Sequence, residues 1–381
     1  MASFLFVPYS VAGHVHPMLP VMAELAARGE GVRALVGTAF ADAVRDAGAE
    51  AIVLDAVPDV FVPERFVGAA AVRFAVGRIR RPGTNARAAR ALAREVRRSR
   101  PDVMVLDPMI GWADRVARRS GVPSALFSTT FAVNDDVCAV VDGTPRWVSR
   151  LRPIVRRYRY PHRLVLVNAV PDLQPAAGRL AGDVHLVGPL QRSRHSDREM
   201  LELQVPRGHR VLYVSPGTVY ARGMAFFHAI ADAFADAPWL VVLATGHLDP
   251  DALGSTPSNV VVRRQVPQPL VLDHSDVFLT HAGMNSSLEG LAAGVPMALA
   301  PRSREQRFLA RRLVTLGVGA HIDVRQGDPQ GLRQAITALA DDPAVRAAAT
   351  GWREHLKATD GPRLAADLLS ANVRASGAGS G

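Results

Sequence analysis

Val277-Phe278-Leu279-Thr280-His281-Ala282-Gly283-Met284-Asn285-Ser286-Ser287-Leu288-Glu289-Gly290 contains a complete passage from strand to helix. Its first four residues are apolar or β-branched, the composition of a short buried strand. Small residues then open a helical segment. The first amides of a helix have no intrahelical partner and its dipole is positive at that end, so the stretch from Gly283 through Asn285 and Ser286 to Ser287 suits an anion such as a diphosphate. His281 and Ser286 add side-chain donors. Glu289, about one turn further, is placed to accept hydrogen bonds from ribose hydroxyls, as acidic residues do in other nucleotide folds. The stretch lacks the GxGxxG pattern of dinucleotide loops.

The same alternation extends in both directions. Upstream in this half are apolar runs at Val211 to Val214, Leu240 to Ala244 and Val260 to Val262, and Met297 to Ala300 follows, with helix-like segments such as Gly223 to Ala235 between them. An equivalent series occupies the N-terminal half: Phe4 to Val7, Val32 to Val36, Ala51 to Leu54, Val103 to Leu106 and Ala125 to Phe127. Strands alternating with helices predict an α/β architecture with parallel sheets joined by crossover helices. At 381 residues the chain exceeds what one core normally supports, which favours two domains. The polar run from Gln191 to Arg198 has the composition of a linker. The reading is a first domain over 1–189, a linker over 190–207, a second domain over 208–350, a C-terminal helix over 351–374 and a disordered tail over 375–381. The segments Val72 to Arg81 and Val148 to Tyr160 read as helices and loops.

Composition narrows the functional classes. Apolar residues make up 48% and charged residues 21%, an ordinary globular balance. Cys138 is the only cysteine, so no internal disulfide or thiolate cluster can form from this chain. Ser3 to Pro8 reads as a first strand without a basic leader, and no run is long and apolar enough to span a bilayer, so a cytoplasmic protein is expected. The net charge is +10, concentrated between Arg73 and Arg163, where 20 arginines face 7 acids. Lys357 is the sole lysine and aromatics are only 6%. An Arg-rich solvated face therefore fits better than a stacking platform for nucleic acid.

In an open α/β sheet ligands bind beyond the carboxyl ends of the strands. After the first strand comes Ala12-Gly13-His14-Val15-His16-Pro17, and Asp107 ends the strand Val103 to Leu106. A neutral imidazole, with a reference pKa of about 6.5, can take a proton from an attacking hydroxyl if a carboxylate orients its far nitrogen. Taken singly, His14 also reads as a loop histidine capping the next helix, and Asp107 as a helix N-cap. His14 and His16 lack an obvious third ligand and make a poor metal site. Ser215-Pro216-Gly217-Thr218 is a second glycine turn, whose Gly217 amide and Thr218 hydroxyl could meet phosphate.

Together these segments resemble the family 1 glycosyltransferases of the GT-B fold, particularly bacterial enzymes that decorate natural products such as macrolides and aromatic polyketides. The resemblance covers nearly the whole chain. It implies two Rossmann-like doubly wound domains facing across a cleft, with His14 as the catalytic base, Asp107 as its partner and His16 in the acceptor pocket. The donor would be held by Gly217, Thr218, Gln265, Val266, His281, Gly283, Asn285, Ser286, Glu289, Glu305 and Gln306. The implied reaction is inverting transfer, without metal or cofactor, of a sugar, expected to be a deoxysugar, from a TDP- or UDP-sugar to a hydroxyl of a small molecule such as an antibiotic aglycone. Gln265-Val266 stands where the family usually carries an aromatic residue that stacks on the base, and Arg302 and Arg304 flank the expected sugar site. A catalytically silent homologue acting on a partner protein, and a transferase to a lipid-linked acceptor, remain as alternatives. A homodimer is compatible with the sequence without being specified by it.

Overall fold

The computed structural model describes residues 1–54, 68–143, 145–151, 153–158, 164–191, 204–217, 223–246, 248–324 and 327–378. These fall into two compact units, one made of 1–191 and 360–378 and the other of 204–359. Most of the expected linker, at 192–203, lies outside the described residues, as does Thr218.

The first unit is built on seven parallel strands: β1 (Ser3–Val7), β2 (Gly31–Val36), β3 (Glu50–Val53), β4 (Val103–Leu106), β5 (Ser124–Ser128), β6 (Val165–Val167) and β7 (Val184–Leu186). Their order is β3-β2-β1-β4-β5-β6-β7. The second unit contains β8 (Arg210–Ser215), β9 (Trp239–Ala244), β10 (Val260–Arg263), β11 (Val277–Thr280), β12 (Met297–Leu299) and β13 (Gly319–His321), ordered β10-β9-β8-β11-β12-β13 and also parallel. β6, β7 and β13, three residues each, are too short to give a periodic signal in the sequence.

Central strands of a parallel sheet are covered on both faces, and this is why they read as continuous apolar runs. Phe4, Leu5, Phe6 and Val7 are sealed, as are all four residues of β4 and of β11. Phe4 and Phe6 pack with Val15, Met18, Leu25 and Phe127 in the first unit, and Leu212 and Val214 with Phe227, Ile230 and Ile336 in the second. Each such side chain stabilises its unit by about 1.5–3 kcal/mol relative to exposure.

The C-terminal region departs from the single helix expected over 351–374. One helix, Pro343–Lys357, closes the second unit, and another, Gly361–Ala378, belongs to the first. The break has a local cause: the Asp360 carboxylate accepts the Arg363 amide and starts a new helix. Its buried Ala365, Ala366 and Leu369 join the first core, and Asp367 accepts from Arg28 at 2.7 Å. Gly361 is required there, because a Cβ would stand 2.2 Å from the Val187 carbonyl oxygen. The helix runs through 375–378, which were expected in the tail, since propagation adds one backbone bond for each residue fixed.

The segment expected to be helical at 72–81 lies within the helix Gly68–Ser99, and the 148–160 region holds the short helices Arg146–Ser149 and Pro153–Tyr158. Part of the arginine excess is paired locally, as in Arg98–Glu95, Arg118–Asp114 and Arg150–Asp135. Among the described residues no helix is long and apolar enough to cross a membrane.

Candidate active site

The winding of the first sheet reverses between β1 and β4, and the crevice beyond such neighbouring strand ends is where doubly wound folds place ligands. Val7 pairs with Leu106, so the residues that follow both strands emerge side by side. His14 sits in a four-residue helix, Ala12–Val15, just past β1, and Asp107 is the first residue after β4. His14 Nδ1 lies 2.6 Å from Asp107 Oδ2. The carboxylate is buried, whereas the imidazole keeps 21% of its surface open.

Both carboxylate oxygens are engaged. Oδ1 accepts the Met109 amide at 2.8 Å, which fixes the turn, and Oδ2 faces the histidine. An ionised carboxylate only accepts, so Nδ1 carries the hydrogen and Nε2 holds the lone pair, the tautomer a general base requires. Asp107 does not cap the following helix, Gly111–Ser120, whose N-cap is Ile110.

Two contacts here were not anticipated. Thr129 Oγ1 lies 3.2 Å from the same Nδ1, and the Tyr9 ring meets His14 edge-on at 5.4 Å. Thr129 directly follows β5, so the strand-end rule that singled out Asp107 could have singled it out as well. His16 is exposed and packs edge-on to Phe40. Among the described residues no group of three or more His, Cys, Asp and Glu could hold a metal ion.

The second sheet repeats the arrangement. Its winding reverses between β8 and β11, where Ser215 pairs with Thr280, and the two glycine segments follow these two strands. Gly217 has φ +84, and a Cβ on it would stand 2.6 Å from the His281 ring; a Cβ on Gly283 would stand 2.3 Å from His281 Nε2. The two glycines therefore make the slot in which the imidazole lies. Between His281 and Gly283, Ala282 has φ +58, a left-handed conformation costing about 1–3 kcal/mol for a residue with a Cβ. It is fully buried, and its amide donates to Thr280 Oγ1 at 3.3 Å.

Gly283 caps the helix Met284–Ala293 and supplies no side-chain oxygen to its first turn, which keeps that end suited to an anion. Asn285 and Ser286 lie in this turn, Ser286 being buried. Glu289 reaches toward the neighbouring helix Gln268–Asp273, where Gln268 Nε2 donates to its Oε2 at 2.5 Å. Gln265 is exposed and Val266 half-buried in the loop before that helix.

Gln306 has a structural role that the sequence reading overlooked. Its Oε1 accepts the Arg302 and Ser303 amides while Ser303 Oγ accepts the Gln306 amide, a capping box at the start of the helix Arg304–Thr315. Glu305 is half-buried beside it. The Asp249-Pro250-Asp251 sequence, which mimics a metal motif, is a local turn: Asp249 caps Pro250–Leu253.

Desolvation pushes the Glu289 carboxyl up to about 7, opposed by the Gln268 hydrogen bond. Because the folded value is raised, the carboxyl protonates near neutrality, and only its ionised form is a full acceptor. If ribose hydroxyls donate to it, binding draws the group toward the carboxylate and releases a proton below about pH 7. UDP affinity should therefore rise from pH 6 to pH 8 more steeply in the wild type than in Glu289→Gln, as measured by calorimetry. Parallel pH profiles would contradict this.

A family model described as UDP-glucoronosyl and UDP-glucosyl transferase matches residues 180–350, which include the whole second sheet. The oleandomycin glycosyltransferase of Streptomyces antibioticus is 31% identical over 400 residues, covering 96% of this chain and 90% of that protein. The chain belongs to the family 1 glycosyltransferases. Among solved structures, the calicheamicin glycosyltransferase CalG4 is 29% identical with a TM-score of 0.74 over 99% of each chain. The glycotransferase of kitacinnamycin is also 29% identical, with a TM-score of 0.75 over 97% of this chain and 98% of that one. This family 1 glycosyltransferase thus has two Rossmann-like parallel-sheet domains of the GT-B type. Its reaction class is glycosyl transfer.

Proposed function

We propose that this glycosyltransferase moves a sugar from a TDP- or UDP-sugar to a hydroxyl of a small-molecule natural product with inversion, without a metal ion, in the cytoplasm. The observation that carries the reading is the 2.6 Å contact between His14 Nδ1 and the buried Asp107, at the strand ends where ligands bind. His14 Nε2 takes the acceptor's proton as its oxygen bonds to the anomeric carbon. The bond from that carbon to the diphosphate breaks on the opposite face, and its electron pair leaves with the phosphate. Asp107 balances the imidazolium that forms.

The first unit, 1–189 in the sequence reading, activates the acceptor, with His16 in its pocket, and the second holds the donor. His281, the Gly217 turn with Thr218, and the helix start at Gly283, Asn285 and Ser286 meet the developing diphosphate charge, an electrostatic role like that of an oxyanion hole. Glu289 accepts from the ribose, Gln265 and Val266 cover the base, and Glu305 and Gln306 hold the sugar. The capping bonds occupy Gln306 Oε1, so a sugar hydroxyl would meet the other end of that amide, Nε2. The similarity to an oleandomycin glycosyltransferase and to a calicheamicin glycosyltransferase supports a natural-product acceptor.

Thermal unfolding against TDP, UDP, GDP and ADP tests the donor site. TDP or UDP, with or without Mg²⁺, should stabilise the protein by about 2.7 kcal/mol at 100 times its dissociation constant. A shift that needs Mg²⁺, or no shift with any nucleotide, would overturn this part of the proposal.

A further inference from the structure

Tyr213 is a core residue of β8, 1% exposed, whose ring stacks on Phe278 of β11 at 5.0 Å with the planes 9° apart. A buried tyrosine hydroxyl needs a hydrogen-bond partner. It donates to Gln268 Oε1 at 3.0 Å, and Ser215 also hydrogen-bonds it. The other end of the same amide donates to Glu289 Oε2. A glutamine amide has two chemically opposite ends of nearly equal shape. Here both ends are anchored, one by a hydroxyl that donates and one by a carboxylate that accepts.

We propose that Tyr213 is a positioning residue for ribose recognition: by holding Gln268 from behind, it fixes how Gln268 and Glu289 jointly present a donor and an acceptor to the donor nucleotide's ribose hydroxyls. The inference rests on the reading above in which Glu289 meets the ribose. It assigns to a sealed strand residue, which touches no substrate, a part in reading the 2′- or 3′-hydroxyl of the donor nucleotide's pentose. Without the hydroxyl the amide keeps its attraction to Glu289 but loses its second anchor. The pair then meets the sugar in several orientations.

Binding of UDP, 2′-deoxy-UDP and 3′-deoxy-UDP, measured by calorimetry on the full chain, tests this. Wild type should bind at least one deoxy analogue about tenfold or more weakly than UDP, as expected for loss of a hydrogen bond to a charged group. Tyr213→Phe keeps the ring and its stacking. It should reduce that preference about three- to tenfold, mainly through weaker UDP binding, with little change for the disfavoured analogue. Phe278→Leu removes the stacking ring but leaves the hydroxyl; it should lower the melting temperature and keep the preference. Adding Tyr213→Phe to Gln268→Leu should change nothing further, because the route through Gln268 is already cut. Full preference in Tyr213→Phe, or equal loss in Phe278→Leu, would overturn the inference while leaving the ribose reading intact. A wild type that does not discriminate at all would overturn both.

Discussion

Replacing His14 with alanine should lower kcat by about 10²- to 10⁴-fold, the contribution of a positioned general base. The melting temperature and donor affinity should change little, since the imidazole is partly exposed and lies in the first unit. Asp107→Asn should cost nearly as much, for a reason that can be read from the two carboxylate oxygens. Asn can retain the acceptor that holds the Met109 amide, so the turn survives. Its NH₂ then faces His14 Nδ1 and donates to it, which places the ring hydrogen on Nε2 and removes the lone pair that must take the acceptor's proton. Steady-state kinetics with a transferable donor, beside circular dichroism and melting curves, separates this effect from loss of fold. Turnover within a few fold of wild type in either variant would remove the pair from the chemistry.

The second large effect is expected from Gly283→Ala. The backbone there, at φ −73 and ψ 153, suits alanine, so the substitution carries no conformational penalty. Its methyl group would nevertheless stand 2.3 Å from His281 Nε2, well inside contact distance. The imidazole must leave its slot, and the helix start loses the approach that an anion needs. UDP affinity should fall about 10- to 10²-fold, as expected for loss of a hydrogen bond to a charged group. Gly217→Ala meets the same ring and also strains a left-handed turn, so it should lose stability as well. Calorimetry with UDP and a melting curve on each variant distinguish the two. Unchanged UDP binding in Gly283→Ala would mean that His281 does not hold the phosphate.

Much of this architecture can be read from local pattern. The strands at Phe4 to Val7, Val103 to Leu106, Val211 to Val214 and Val277 to Thr280 are apolar because they are buried on both faces, and that requirement is written residue by residue. The residues proposed to carry the chemistry, His14, Asp107, Gly217 and His281, follow such strands, so position in the sequence already marked them. The three-residue strands β6, β7 and β13, and the helix boundary at Asp360, gave no comparable period. Ser303 and Gln306 show how one signal can be read for only one of its meanings. Their spacing is that of a capping box, while Glu305-Gln306 also resembles a donor-binding pair.

The sequence by itself determined the elements, their alternation and the residue types available at each strand end, because burial and helix formation depend on neighbours a few positions apart. Only the tertiary structure decided which of those ends meet. His14 and Asp107 are 93 residues apart, and they pair because β1 lies beside β4 at the reversal of winding. His281 enters the slot at Gly217 for the same reason, with β11 beside β8. Tyr213, Gln268 and Glu289 form a chain only because a strand and two helices pack there. Strand order is settled by the packing of whole sheets and crossovers, an interaction over long sequence separations that no local period encodes.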